Sequence, residues 1–116
     1  MNPLRQTHPA LAQAAEAVRR DLSSPAYDDA LTAAVAHRSW WLSEWEDGAA
    51  YVLGLLAQDL QEAVHADDPL WPACSETSCP ERHGHVLFVE PDLGADPSWT
   101  CHRTGLPVAP VGALRP

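Results

Sequence analysis

The chain has 116 residues, of which 46% are hydrophobic and 20% charged, and its formal net charge is −9. This length predicts one domain with one modest core. The chain contains no lysine, and its seven basic residues are arginines scattered along the sequence, so it lacks the clustered cations on which nucleic-acid binding rests.

The N-terminus has no apolar segment typical of a secretory signal. The longest apolar run, residues 49–57, is far shorter than the roughly 20 residues that span a bilayer. We therefore expect no membrane partner and a cytoplasmic location. The odd number of cysteines, three, agrees with a reducing compartment, where cysteines serve as free thiols or metal ligands.

The composition changes near Asp67 and divides the single domain expected over residues 1–116 into two parts. The helical part, residues 1–66, is rich in alanine and leucine and has three prolines. The C-terminal part, residues 67–116, has eight prolines and all three cysteines. Only one phenylalanine is present, so the five tryptophans must supply an unusual share of the buried area.

The first predicted helix begins after Thr7, its expected N-cap, and ends near Leu22. Pro9 falls in the first turn, where its missing N–H costs nothing. Apolar residues recur at intervals of three and four and predict one buried stripe, which includes Leu11, Ala14, Ala15 and Val18.

A second helix is predicted after Ser24 and Pro25, which repeat the combination of cap and proline. We expect this helix to end near His37. A strand over residues 33–42 is the competing interpretation, because valine and tryptophan are tolerated in strands.

Three tryptophans lie close together after this helix, namely Trp40, Trp41 and Trp45, in a segment without a clear period. One interpretation is a mixed bend whose tryptophans fill the interface between the helices. The other is an exposed aromatic surface that binds a protein partner or a second copy of the chain, because tryptophan anchors dominate interface energetics.

The strongest helical pattern covers about residues 48–66, and Asp47 immediately before it is the expected N-cap. Three helices with short connections predict a small bundle. In the C-terminal part, residues 85–89 and 98–102 are the expected strands of a β-hairpin. The proline-rich tail, residues 107–112, suits an edge or extended segment. The predicted fold class is therefore α+β, with about three helices followed by a short hairpin.

Sulfur and nitrogen donors are concentrated at the base of this hairpin. Zinc takes about four such donors in a tetrahedron. The predicted metal ligands are Cys74, Cys79, Cys101 and one of His83 and His85. His102 follows Cys101 directly, and adjacent residues rarely bind one metal. In the alternative interpretations the cysteines are small buried apolar groups beside solvated histidines, or two of them form a disulfide.

Three motifs in residues 71–116 carry a similarity to known proteins. They are Trp71-Pro72-Ala73-Cys74 with Cys79-Pro80, then Trp99-Thr100-Cys101, then Gly105-x-x-Val108-Ala109-Pro110-Val111-Gly112. Through them the chain resembles zinc ribbons and, more loosely, small uncharacterised proteins of high-GC Gram-positive bacteria. The resemblance implies a metal-binding or structural knuckle and no known activity. The chain departs from the ribbon pattern because it has no C-x-x-C knuckle.

These observations favour a non-catalytic protein-binding or assembly module stabilised by a structural zinc ion. Its partner would be another protein or a second copy of the chain. The alternative is a small zinc- or thiol-dependent enzyme that uses Cys79 or Cys101 with His83 or His85. An acidic mimic of nucleic acid is a third hypothesis. The sequence contains no phosphate loop, dinucleotide-binding motif or H-E-x-x-H motif, so it identifies no activity.

Overall fold

A computed structural model describes residues 7–22 and 24–114. Within these ranges, three α-helices are followed by a three-stranded antiparallel sheet, which confirms the predicted α+β class. The helices are α1 (Pro9–Asp21), α2 (Asp28–Glu44) and α3 (Val52–Val64), and the strands are β1 (Phe88–Glu90), β2 (Ser98–Thr100) and β3 (Pro107–Pro110).

The first helix, α1, matches its predicted extent closely but has a different cap. The Nδ1 atom of His8 accepts a hydrogen bond from the Ala10 backbone N–H at 3.0 Å, so the N-cap is His8 and not Thr7. The predicted apolar stripe is confirmed, because Leu11 and Val18 are fully buried.

The second helix, α2, continues past its predicted end at His37 to Glu44. Both the competing strand over residues 33–42 and the mixed bend of the tryptophan segment are therefore wrong. The reason lies in a contact between distant residues. Arg38 donates two hydrogen bonds to the Asp59 carboxylate of α3, at 2.7 and 2.9 Å, and these bonds hold the extra turns of α2 against α3.

The third helix, α3, begins later than predicted, because a 3₁₀ turn over Glu46–Tyr51 precedes it. Asp47 lies inside this turn and does not cap α3, whose N-cap is Tyr51. Gly48 explains the path of the chain here. A Cβ atom at this position would lie 2.5 Å from a ring atom of Trp41, so only glycine allows the turn to pass so close to the ring.

The sheet has the order β1-β2-β3, so β2 is central. Val89 of β1 pairs with Trp99 of β2, which confirms the predicted hairpin, and Trp99 also pairs with Ala109 of β3. Both strands are shorter than the expected residues 85–89 and 98–102, and β1 begins three residues later. The strand formed by the proline-rich tail lies at an edge, where a missing N–H leaves no gap in the ladder. An isolated antiparallel bridge pairs Ala73 with Val86, just before β1 begins.

The two parts of the chain share one hydrophobic core. Trp99 is fully buried and packs edge-to-face against Trp71, with ring centroids 5.4 Å apart. Its indole Nε1 donates to Oδ2 of Asp21 at 2.9 Å. The same carboxylate accepts hydrogen bonds from the backbone N–H groups of Gly112, at 2.6 Å, and Leu114, at 2.9 Å. Asp21 thus joins the end of α1 to both β2 and the C-terminal tail.

Among the described residues, no helix combines the length and the apolar character needed to cross a membrane.

Candidate metal centre

Four of the five predicted metal ligands lie together beside the sheet. The Sγ atoms of Cys74, Cys79 and Cys101 and a ring nitrogen of His85 all lie within 4.8 Å of one another. The Nε2 atom of His85 is 3.3 Å from the sulfur of Cys79 and 3.8 Å from that of Cys101. Ligand atoms around tetrahedral zinc lie about 3.5–3.8 Å apart, given the usual Zn–S and Zn–N distances. The cluster could therefore hold one metal ion.

Backbone pairing fixes the first three ligands. The N–H of Cys74 donates to the carbonyl of His85 at 2.9 Å, and the N–H of His83 donates to the carbonyl of Cys74 at 2.8 Å. Residues 74–85 thus form a loop with a ligand at each end. Cys79 lies on a tight turn within this loop, where its N–H donates to the carbonyl of Glu76 at 3.0 Å.

Two sulfur atoms accept hydrogen bonds from backbone N–H groups. The N–H of Glu76 is 3.4 Å from Sγ of Cys74, and the N–H of Thr104 is 3.4 Å from Sγ of Cys101. The second bond depends on a tight turn after β2, in which Gly105 has a φ of 75°. Such donors favour the thiolate over the thiol, and the thiolate is the form that binds metal.

The orientation of His85 also fits a metal ligand. Its Nδ1 atom lies 3.2 Å from the carbonyl oxygen of Val86, an acceptor that places the ring proton on Nδ1. The lone pair of Nε2 then faces the cysteine sulfurs. A backbone carbonyl bound to the second ring nitrogen is a common device for orienting histidine ligands in metal sites.

The thiols of Cys74 and Cys101 differ in acidity. Burial raises the pKa of the Cys74 thiol to about 11, and hydrogen bonds that Cys101 and Cys79 accept from this thiol favour its protonated form further. Burial also opposes ionisation of Cys101, but hydrogen bonds from Thr104 and from the backbone of Arg103 lower the pKa of its thiol to about 6. This lowered pKa favours the thiolate form of Cys101, and a thiolate attracts a cation.

The remaining histidines of this region lie outside the cluster. His83 is exposed and has a φ of 71° in the turn before Gly84, so the predicted choice between His83 and His85 falls on His85. His102 is also exposed, and its ring stacks on Phe88 with centroids 4.4 Å apart. The Nε2 atom of His102 is 2.9 Å from Oε1 of Glu90, so an acidic side chain holds this ring away from the cysteines.

The three tryptophans predicted to bind a partner lie at the end of α2, away from the Cys/His cluster in sequence. Trp40 is 60% exposed and Trp45 is 45% exposed, whereas Trp41 is half-buried. Trp41 packs against the hydrophobic core. Trp40 and Trp45 face solvent.

A family model described as a domain of unknown function, DUF8819, matches residues 7–111. The chain belongs to this family. No curated protein and no solved structure matches the chain. The matched range contains α1 as well as all four members of the Cys/His cluster, so the helices and the cluster together form the DUF8819 domain.

Proposed function

We propose that this DUF8819 protein is a non-catalytic protein-binding module whose C-terminal part is held by a structural zinc ion, as in a zinc ribbon. The observation that carries the zinc assignment is the set of four convergent donors from Cys74, Cys79, His85 and Cys101. Three thiolates and one imidazole form a complete tetrahedral set of the kind that structural zinc sites use. A catalytic site would keep one position open for water or substrate.

A structural ion also meets a need of the local fold. The strands β1 and β2 have three residues each, so few backbone hydrogen bonds hold this hairpin together. The ligands come from the loop before β1 and from the residue after β2, so one ion would join both ends of the hairpin. Because zinc binds with reduced thiols, we propose a reducing compartment, the cytoplasm, as the location.

The thiol-enzyme alternative draws support from the lowered pKa of Cys101. The sulfur nevertheless belongs to a residue with no exposed surface, and Cys74 beside it is equally buried. A nucleophile must contact its substrate, whereas a structural ligand gains from exclusion of water. Burial therefore favours the structural role.

The test is the metal content of untagged protein purified without chelator, together with replacement of the native metal by cobalt. We expect about one zinc per chain and, for the cobalt form, the thiolate-to-metal charge-transfer bands of a tetrahedral sulfur-rich site. His85→Ala should lose the metal, and His83→Ala, a histidine in the same loop but outside the cluster, should retain it.

Two results would overturn this proposal. One is protein without metal whose thermal unfolding does not change on addition of a strong chelator. The other is iron with acid-labile sulfide, because a sulfur-rich tetrahedral site can also hold an iron–sulfur cluster.

A further inference from the structure

The C-terminal end of α2 presents apolar surface that the described residues leave exposed. We call Trp40, Trp45 and the partly exposed Trp41 the tryptophan surface. The buried residues of α2 are Leu31 and Leu42, whereas both large indole rings at positions 40 and 45 face solvent. Tryptophan side chains with this much exposed surface are unusual in a protein without a partner, and tryptophan is a typical anchor of protein interfaces.

Two of the three rings of the tryptophan surface, those of Trp41 and Trp45, pack on each other. The ring of Trp45 packs edge-to-face on Trp41, with ring centroids 5.3 Å apart. The ring of Tyr51 lies on Trp45 in a tilted arrangement, with ring centroids 5.8 Å apart. A Cβ atom on Gly48 would lie 2.6 Å from one atom of Trp41 and 2.9 Å from one atom of Trp45. Glycine at this position thus lets the backbone support both rings. Rigid aromatic anchors lose little entropy on binding.

Acidic side chains follow the tryptophans directly. Glu44, Glu46 and Asp47 are all exposed, and none of the ion pairs among the described residues includes them. Glu44 is also the last residue of α2, whose last turn contains no basic residue. A negative charge at this end of a helix adds to the negative end of the helix dipole, so a positive group is favoured here.

The chain already makes one contact of the kind that this surface would offer. The guanidinium carbon of Arg38 lies 5.1 Å from the ring centroid of Trp41, while its nitrogen atoms bind the carboxylate of Asp59. An indole face and a carboxylate together therefore bind arginine within this protein. Trp40 and Trp45 are also exposed indoles, and Glu44 and Glu46 flank Trp45 in the sequence. Among the described residues, no arginine lies over either of these two rings.

We infer that the tryptophan surface binds an arginine-rich segment of another protein. Guanidinium groups stack on indole rings and form paired hydrogen bonds with carboxylates. The ammonium group of lysine stacks on indole less well and cannot form the paired hydrogen bonds. A second copy of the chain is the poorer occupant, because contact between two such surfaces would bring their carboxylates together. This inference rests on the proposed binding role and does not depend on zinc.

The test uses the full chain and a short fluorescein-labelled peptide of alternating arginine and glycine. Peptides with lysine, leucine or glutamate in place of arginine are measured beside it by fluorescence anisotropy. We expect the arginine peptide to bind most tightly and the lysine peptide more weakly, and we expect no binding of the glutamate peptide. The double variant Trp40→Ala, Trp45→Ala should bind the arginine peptide about tenfold more weakly.

Trp45 packs on its neighbours, so the single variant Trp40→Ala is the safer one, and its folding is checked by circular dichroism. A matched pair of triple variants separates local from general charge. Neutralising Glu44, Glu46 and Asp47 to their amides should weaken binding severalfold. Neutralising three exposed acids elsewhere, Glu16, Glu62 and Asp67, should have a smaller effect.

Equal effects of the two triple variants would overturn the inference, because binding would then follow net charge alone. Binding of the leucine peptide in preference to the arginine peptide, lost in Trp40→Ala, would retain the proposed binding role and reject the arginine-rich partner. A dimer in sedimentation that Trp40→Ala dissociates, without peptide binding, would assign the surface to a second copy. Absence of any binding or self-association would reject both the inference and the proposed binding role.

Discussion

The helical part and the C-terminal part are stabilised in different ways. In the helical part, α1 and α3 bury continuous apolar stripes against each other, and one well-shielded ion pair joins α2 to α3. The C-terminal part has strands of three or four residues and buries all three of its cysteines. Under the proposed zinc binding, burial stabilises the helical part and the Cys/His cluster stabilises the C-terminal part, so each source of stability can be removed separately.

The largest expected effect comes from Cys74→Ser. Serine cannot supply a thiolate, so we expect the affinity for zinc to fall more than about 100-fold, beyond the loss that removal of an outer hydrogen-bond partner causes. The C-terminal part should then lose its fixed structure, with a red shift of the fluorescence of buried Trp99. The far-ultraviolet circular dichroism of the helices should persist to a higher temperature than the tertiary signal.

The control is His83→Ala, which changes an exposed residue of the same loop. It should leave the zinc affinity unchanged, along with the unfolding temperatures measured by circular dichroism and by tryptophan fluorescence. If Cys74→Ser melts in one transition at the temperature of His83→Ala, the two parts do not differ in their source of stability.

Lowering the pH should weaken zinc binding in the C-terminal part reversibly, without a direct effect on the apolar packing of the helical part. The pKa of Cys101 is lowered from 9.0 to about 6, so the stability from its thiolate is present above 9.0 and is lost as the pH falls through about 6. Bound zinc competes with protons for the same sulfur, so we expect retention of zinc at neutral pH and its release on acidification. A metal-sensitive dye measures this release.

Thr104→Val tests the physical cause of zinc release in acid. The variant removes the hydroxyl whose hydrogen bond helps to lower the pKa of Cys101. Zinc release should therefore begin at a higher pH than in the unchanged protein. An unchanged or lower pH of release would contradict the hydrogen-bond explanation of the lowered pKa.

Asp21→Ala tests the connection between the two parts. Alanine leaves the donors of Trp99, Gly112 and Leu114 without their acceptor, and the indole N–H is buried. We expect a loss of about 3 kcal/mol in the free energy of unfolding, because each unsatisfied buried donor costs about 1–3 kcal/mol and such costs are not fully additive. Urea unfolding of the variant and of the unchanged protein measures this loss in the free energy of unfolding.

Glu16→Ala is the control for Asp21→Ala, since it removes an exposed acid from the same helix. Its effect should stay within about 0.5 kcal/mol. Similar losses in the two variants would mean that Asp21 contributes only its charge and does not connect the parts.

Local patterns in the sequence predict features that depend on neighbouring residues. The stripes of α1 and α3 follow from apolar spacing, the hairpin from alternation and turn residues, and the shared position of Cys74 and Cys101 from that hairpin. The bonds of Asp21 reach residues 78, 91 and 93 positions away, so no local pattern could reveal them. As a carboxylate near the end of a helix, it resembles an ordinary surface residue.

The choice of histidine and the length of α2 were unpredictable for similar reasons. His83 and His85 are two residues apart, and only the backbone of the turn decides which ring faces the sulfurs. The extra turns of α2 depend on Arg38 meeting Asp59 of another helix, which propensity alone does not encode. Both cases need tertiary structure.

The smallest expected effect is that of Arg38→Met, which tests whether the helical part relies on burial alone. Its side chain is 14% exposed and that of Asp59 is 26% exposed, and the two form a bidentate pair. Methionine keeps an apolar stem against Trp41 but removes the charge, so we expect a loss of about 1–2 kcal/mol in urea unfolding. Arg19→Met removes an arginine that is 53% exposed from its pair with Asp28, and its effect should stay within about 0.5 kcal/mol because solvent screens that pair. Equal effects would place the ion pair of α2 and α3 among ordinary surface contacts and leave apolar burial as the single source of stability in the helical part.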